Sequence, residues 1–304
     1  MSGLTSDDVE IWRRAAFLSR VAYSGSAVHF DDDEPVPGCS ALRFRFSNWT
    51  FLADEDTDAQ ATCCYDKQDG VCWVAFRGTQ TPEDIMCDAY TFQSHSRSLC
   101  DARPETSSVR VHSGFSLQYQ SLRPKVDKFV AEHVSTNLRH SKSTRVYVTG
   151  HSLGAALAML YATGLKAGAA DVRGVEAVEC FALGCPRVGN RAFAKFVERL
   201  TRAEEPMRFR VRRLVLGRDP VTDIPCIGYV HAGEAIRISR TGADATTDFR
   251  VFRCWWPLLY CDFSDHDLGA YLHAVCTRRE QSGVASPRTH ASSRRAILTR
   301  VLSS

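Results

Sequence analysis

The segment TRVYVTGHSLGAALAMLYATG, residues 144–164, constrains the fold more than any other stretch of the chain. Val146 and Val148 alternate with Arg145 and Tyr147, the two-residue period of a strand. Residues 155–160, AALAML, are helix formers, small at the end that must pack closely. Between the two lies Gly150-His151-Ser152-Leu153-Gly154, a G-x-S-x-G pattern. A strand that turns this sharply into a helix strains the backbone at the apex and pushes the serine hydroxyl into a cleft. A Cβ at Gly150 or Gly154 would crowd the turn or the strand–helix contact. The helix aims its N-terminus, the positive end of its dipole, at the space above Ser152. The bland reading of these residues is a strand–helix junction with an incidental serine. The rest of the chain decides against it.

With 304 residues, 44% of them hydrophobic, the chain can bury one large core. A net charge of +3 is too small to argue for nucleic acid as a partner. No apolar run approaches membrane-spanning length. In residues 1–25 acids come first and the apolar residues are interrupted, unlike a signal peptide, so the expected compartment is the cytoplasm. The same residues read as an amphipathic helix. Thr5 and Asp8 suit a capping box, and Val9, Trp12, Ala16 and Val21 form its apolar stripe. The twelve cysteines include no pair of C-x-x-C clips, so neither a zinc site nor any other metal or cofactor is expected. Most are expected to be reduced and buried. Cys254 and Cys261 bracket CWWPLLYC and could close a small loop, but in a reducing compartment two free thiols is the favoured reading.

Strand signals cover 41–54 and 61–78, with Asp69-Gly70 as a hairpin turn in the second. Residues 79–108 are polar and irregular, and 115–135 reads as a helix with Leu122, Val126, Phe129 and Val130 on one side. Strand signals return at 177–183 and 208–216, separated by a helix from Arg191 to Leu200. This alternation predicts an α/β domain, a mostly parallel central sheet with helices on both faces, over residues 1–276. Residues 277–304 are Ser- and Arg-rich and read as a solvated, disordered tail whose end suits a small basic amphipathic helix.

A serine hydroxyl needs a base within hydrogen-bond reach, and the base needs an acid to fix its tautomer. With an elbow serine, the acid and then the histidine follow along the chain. Asp219 comes just past the strand-like RVRRLVL, before Pro220, and is favoured over Asp223, one turn later. Of the later histidines, His231 comes too soon, His290 lies in the tail, and His273 falls inside the helix-like LGAYLHAV, where it is expected to pack. His266, in FSDHDLGAYL, sits on a polar loop before that helix and is the best base. His151 cannot turn back to its neighbour's hydroxyl, so it has at most a supporting role. A tetrahedral oxyanion needs two preset donors. One is the N–H of Leu153. The other is expected at the end of VAFRGT, where Gly78 lets the backbone approach and Thr79 offers both N–H and Oγ–H.

Taken in order, LSRVAYSG, VAFRGT with EDIMCDA, VHSGF, VTGHSLGAALA, FALGCPRVGN, DPVTDIP with GYVHAGE, and SDHDLGAYL resemble the class 3 lipases, the fungal-type α/β-hydrolases. The seven matches run over residues 15–275. The resemblance implies the α/β-hydrolase fold. It also implies Ser152 as nucleophile, Asp219 as acid, His266 as base, and Thr79 with Leu153 as oxyanion donors. His231 and His112 match positions that are structural in the family. The implied activity is hydrolysis of lipid esters, triacylglycerols or other acylglycerols, through an acyl-enzyme. The alternatives are a phospholipase A1 or soluble-ester esterase on the same fold and, ranked lower, an inactive lipid- or protein-binding scaffold.

In this family the segment after the oxyanion residue often forms a lid. Here it would be QTPEDIMCDAYTF, 80–92, only weakly amphipathic because Glu83, Asp84 and Asp88 interrupt its apolar residues. The run WWPLLY, 255–260, could line an acyl pocket, touch a bilayer, or simply be a buried strand. With the basic tail, these segments suggest transient contact with a membrane or lipid-droplet surface.

Overall fold

A computed structural model describes residues 6–26, 35–36, 39–43, 46–66, 69–79, 93–95, 99, 107–139, 143–168, 174–203, 207–240 and 263–277. The expected lid at 80–92, the 254–261 loop with its two cysteines, and the 278–304 tail lie outside them.

Helix α1 (Ser6–Val21) comes first, then a small hairpin of β1 (Pro35–Val36) and β2 (Cys39–Arg43). Strands β3 (Phe46–Asp54), β4 (Ala59–Asp66) and β5 (Val71–Phe76) form an antiparallel run. A two-stranded ribbon of β6 (Gln93–His95) and β7 (Arg110–His112) leads into α2 (Ser113–Arg139). Then β8 (Thr144–His151), α3 (Leu153–Lys166), β9 (Val175–Leu183), α4 (Arg191–Arg202) and β10 (Arg208–Leu216) alternate. Strand β11 (Glu234–Ile238) and helix α5 (Leu268–Thr277) complete the described chain. Seven strands make one sheet in the order β11-β10-β9-β8-β5-β4-β3, parallel from β11 to β5 and antiparallel from β5 to β3.

The central strands are covered on both sides, which is why they read as nearly continuous apolar runs. On β5, Cys72, Val74 and Phe76 join the core under α2, α3 and α4, while Val71, Trp73 and Ala75 join the core under α1 and α5. On the second face Trp12 stands edge-on to Phe181, ring centres 5.2 Å apart, and Trp73 edge-on to Tyr147 at 5.1 Å. The expected stripe of α1 is buried in full: Val9, Trp12, Ala16 and Val21. Thr5 of the expected capping box lies outside the described residues. Asp8 instead receives the Arg212 guanidinium, which also bonds Glu179 on β9 at 2.8 Å and lies over the Phe181 ring. Arg13 of α1 donates to the carbonyls of Val275 and Cys276 at 3.2 and 3.3 Å, capping the C-terminus of α5. Of the seven cysteines whose side chains are described, five are buried, as expected, and all seven are free thiols.

Register sets where the chemistry can happen. Phe76 pairs with Gly150, Gly150 with Ala182, and Leu183 with Leu214. The carboxyl ends of β5, β8, β9 and β10 therefore finish side by side, and the loops beyond them share one crevice.

Candidate active site

Ser152 sits where β8 becomes α3, with φ 59° and ψ −127°, one of three non-glycine residues with positive φ among those described. That conformation costs about 1–3 kcal/mol and persists only where the surroundings enforce it. The enforcement is visible. The Ser152 N–H donates to Leu183 O at 3.0 Å, and its carbonyl accepts from Ala155 N. A Cβ built on Gly150 would run into the Gly154 backbone, and one on Gly154 into the Phe76 carbonyl. The crowding expected of both glycines is therefore present.

Asp219 follows β10 directly and is almost fully buried. Its carboxylate accepts from the Val221 N–H at 2.9 Å, from the Tyr271 hydroxyl at 2.7 Å, and from His266 Nδ1 at 2.9 Å to either oxygen. Asp223 is no part of this: it faces Arg187 at 3.5 Å with its side chain 41% exposed. His266 is held by its own short turn, its N–H donating to Phe263 O at 2.8 Å. The preceding Asp265 anchors that turn, accepting from the Arg218 N–H at 2.8 Å and from Arg240 Nε at 2.6 Å.

With Nδ1 committed to Asp219, His266 has Nε2 left over, and this atom has no partner among the described residues. Ser152 Oγ and Thr79 Oγ1 are likewise buried and unpartnered. The acid and base are thus joined, while the serine and histidine are not hydrogen-bonded to each other. Such bonds are often long before substrate arrives and tighten in the Michaelis complex. Thr79 lies three residues past the end of β5, and Leu153 is the first residue of α3, whose N–H has no acceptor within the helix.

The remaining histidines divide. His112 is fully buried and stacks on Phe115 with ring centres 4.0 Å apart. His231 bonds Thr222 O through Nε2 at 2.7 Å; burial first, and then nearby arginines, push it down to about 3. His273 was expected to pack, but it faces solvent: α5 buries Tyr271, Leu272, Ala274 and Val275, and His273 falls on its outer side. His290 lies outside the described residues. His151 turns away from Ser152, Nδ1 meeting the Tyr23 hydroxyl at 3.1 Å and Nε2 the His266 carbonyl at 2.8 Å.

Sequence reasoning missed Tyr271 and Tyr23. Tyr271 carried a signal: a tyrosine five residues past the candidate base, on a helix that would otherwise be aliphatic where it is buried.

Comparison with known proteins finds relatives of the whole domain. The model of the family Lipase (class 3) matches residues 73–229, just over half of the chain. A rice protein (Oryza sativa subsp. japonica), phospholipase A1-II 4, is 27% identical over 257 residues, 82% of this chain and 60% of that protein. Secreted mono- and diacylglycerol lipase A of Penicillium cyclopium is 30% identical over 208 residues, 67% of this chain and 60% of that one. The chain thus spans about 60% of the length of these relatives. Among solved structures, Rhizomucor miehei triacylglyceride lipase superposes with a TM-score of 0.65 at 21% identity, covering 90% of this chain and 99% of that one. The sheet is that of an α/β-hydrolase, as expected.

Proposed function

The chain belongs to the class 3 lipase family, and on that premise we propose that it is a serine carboxylic-ester hydrolase acting on lipid esters, with acylglycerols as substrates. The observation that carries the reading is the buried Asp219–His266 pair at 2.9 Å, whose free Nε2 shares the crevice with the strained, unpartnered Ser152. In the proposed reaction His266 Nε2 takes the Ser152 proton as Oγ attacks the ester carbonyl. Asp219, fed by Tyr271 and Val221, holds the ring with Nδ1–H toward it and stabilises the imidazolium. The oxyanion is received by the N–H of Leu153 and by the N–H and Oγ–H of Thr79. His266 then gives its proton to the leaving alcohol and activates the water that releases the acid.

A second reading, phospholipase A1, is favoured by the rice relative of that name, which aligns over 82% of this chain. Contact with a lipid surface belongs to either reading. Ile227, 88% exposed, stands on the loop that follows Asp219 and offers an apolar tip for it.

The test is a panel of short-chain esters, triacylglycerols, diacylglycerols and phospholipids, with a fluorophosphonate probe, on wild type and Ser152→Ala. Hydrolysis and labelling should vanish in the variant, and the lipid that turns over fastest selects between the readings. Undiminished labelling of Ser152→Ala would sink the assignment.

A further inference from the structure

The proposed mechanism leaves two polar groups unused, half-buried Tyr23 and buried His151, and they touch both halves of the site. Tyr23 lies just past the end of α1, and residues 15–19 and 21 of that helix are buried. Its hydroxyl meets His151 Nδ1 at 3.1 Å and packs closely against Gly78, where a Cβ would run into it. His151 Nε2 meets the backbone carbonyl of His266 at 2.8 Å. The rings of His151 and His266 lie with centres 4.5 Å apart.

The proton positions along this path are determined. A backbone carbonyl can only accept, so His151 Nε2 carries the ring proton. Nδ1 of a neutral ring is then a lone pair, and the Tyr23 hydroxyl donates to it. The ring is neutral because burial, and then the neighbouring His266, drive it well below the ordinary histidine value. Burial likewise keeps the Tyr23 phenol protonated. Donation runs one way: Tyr23 O–H to His151, and His151 Nε2–H to the carbonyl of His266. Gly78 must be a glycine for the path to close, since a Cβ there would collide with the Tyr23 hydroxyl and the His151 carbonyl.

We propose that Tyr23 and His151 are positioning residues: one tie, packed against Gly78 at one end and hydrogen-bonded to the His266 carbonyl at the other, that sets the separation between the oxyanion strand end, Gly78–Thr79, and the backbone of the base, His266. This rests on the roles given to Ser152, His266 and Thr79 above. Neither residue touches substrate. The side chain of His266 is aimed by Asp219, and its main chain is aimed by His151. Without the second tie the base can pivot about the first, and Nε2 loses its bearing on Ser152.

The test uses the full chain and a soluble chromogenic butyrate ester, with active sites counted by fluorophosphonate titration so that only folded protein enters kcat. Tyr23→Phe removes one oxygen. It should lower kcat about 10- to 100-fold, slow the labelling rate by the same factor, and leave KM within about twofold. His151→Gln keeps an N–H donor for the His266 carbonyl, and should recover at least about tenfold of what His151→Leu loses. A Tyr23→Phe enzyme with wild-type kcat, a loss carried by KM, or a glutamine variant no better than the leucine one overturns the proposal. Wild type that fails to label at Ser152 would instead overturn the nucleophile assignment, so the two failures are distinct.

Discussion

Replacing Tyr271 by phenylalanine tests how the acid is held. The side chain is fully buried, and its hydroxyl makes two bonds: it donates to Asp219 Oδ2 at 2.7 Å and accepts from the Leu216 N–H at 3.1 Å. Burial, and then the Asp219 carboxylate, push the phenol well above the ordinary tyrosine value, so it remains a donor at every working pH. Removing the oxygen forfeits a hydrogen bond to a charged group, about 1.5–3 kcal/mol, and strands a buried backbone N–H, about 1–3 kcal/mol. The two losses overlap, because neighbouring groups relax together, so we expect about 2–4 kcal/mol in all. For a chain of this length that is a fall in Tm of about 5 °C. Activity should suffer less than from loss of the acid itself, because Asp219 retains the Val221 N–H and the His266 ring. A kcat loss of about tenfold is expected, with KM nearly unchanged. Urea denaturation gives the first quantity and initial rates on a soluble ester the second. A variant within about 0.5 kcal/mol of wild type, with unchanged kcat, would refute the reasoning and leave the orientation of Asp219 to its backbone contact alone.

Two further outcomes follow from the site's surroundings. Gly154→Ala drives a methyl group into the Phe76 carbonyl at the tightest strand–helix contact, so it should cost more than about 3 kcal/mol; a melting curve matching wild type would contradict that geometry. His151 and His231 are held neutral below the ordinary histidine value, so just under pH 6.5 the unfolded chain binds protons that the folded chain does not. Stability should therefore be complete above that pH and fall as pH drops, by about 1.4 kcal/mol per unit for each ring. Urea midpoints that stay level between pH 7.5 and 5.5 would show that the rings titrate normally.

What could be read from the residues alone depended on range. The elbow, the strand at 208–216 and the stripe of α1 rest on patterns within about ten residues, and the structure repeats each of them. Tyr271 on Asp219, Tyr23 on His151 and His151 on His266 bridge 52, 128 and 115 residues. No local period encodes such a meeting, because each partner is ordinary in its own segment. His273 failed for a related reason. In an apolar run of ten residues that packs on one side only, hydrophobic neighbours do not say which side a histidine takes.

The clasp between Arg13 on α1 and the last turn of α5 has a temporal side. A ribosome delivers Tyr23 and Ser152 long before it delivers His266, which lies more than a hundred residues beyond the serine. Until α5 has emerged and closed against the first helix, the proposed nucleophile has no base and the acid no phenol. A nascent chain therefore cannot assemble the proposed triad until its two distant helices have met.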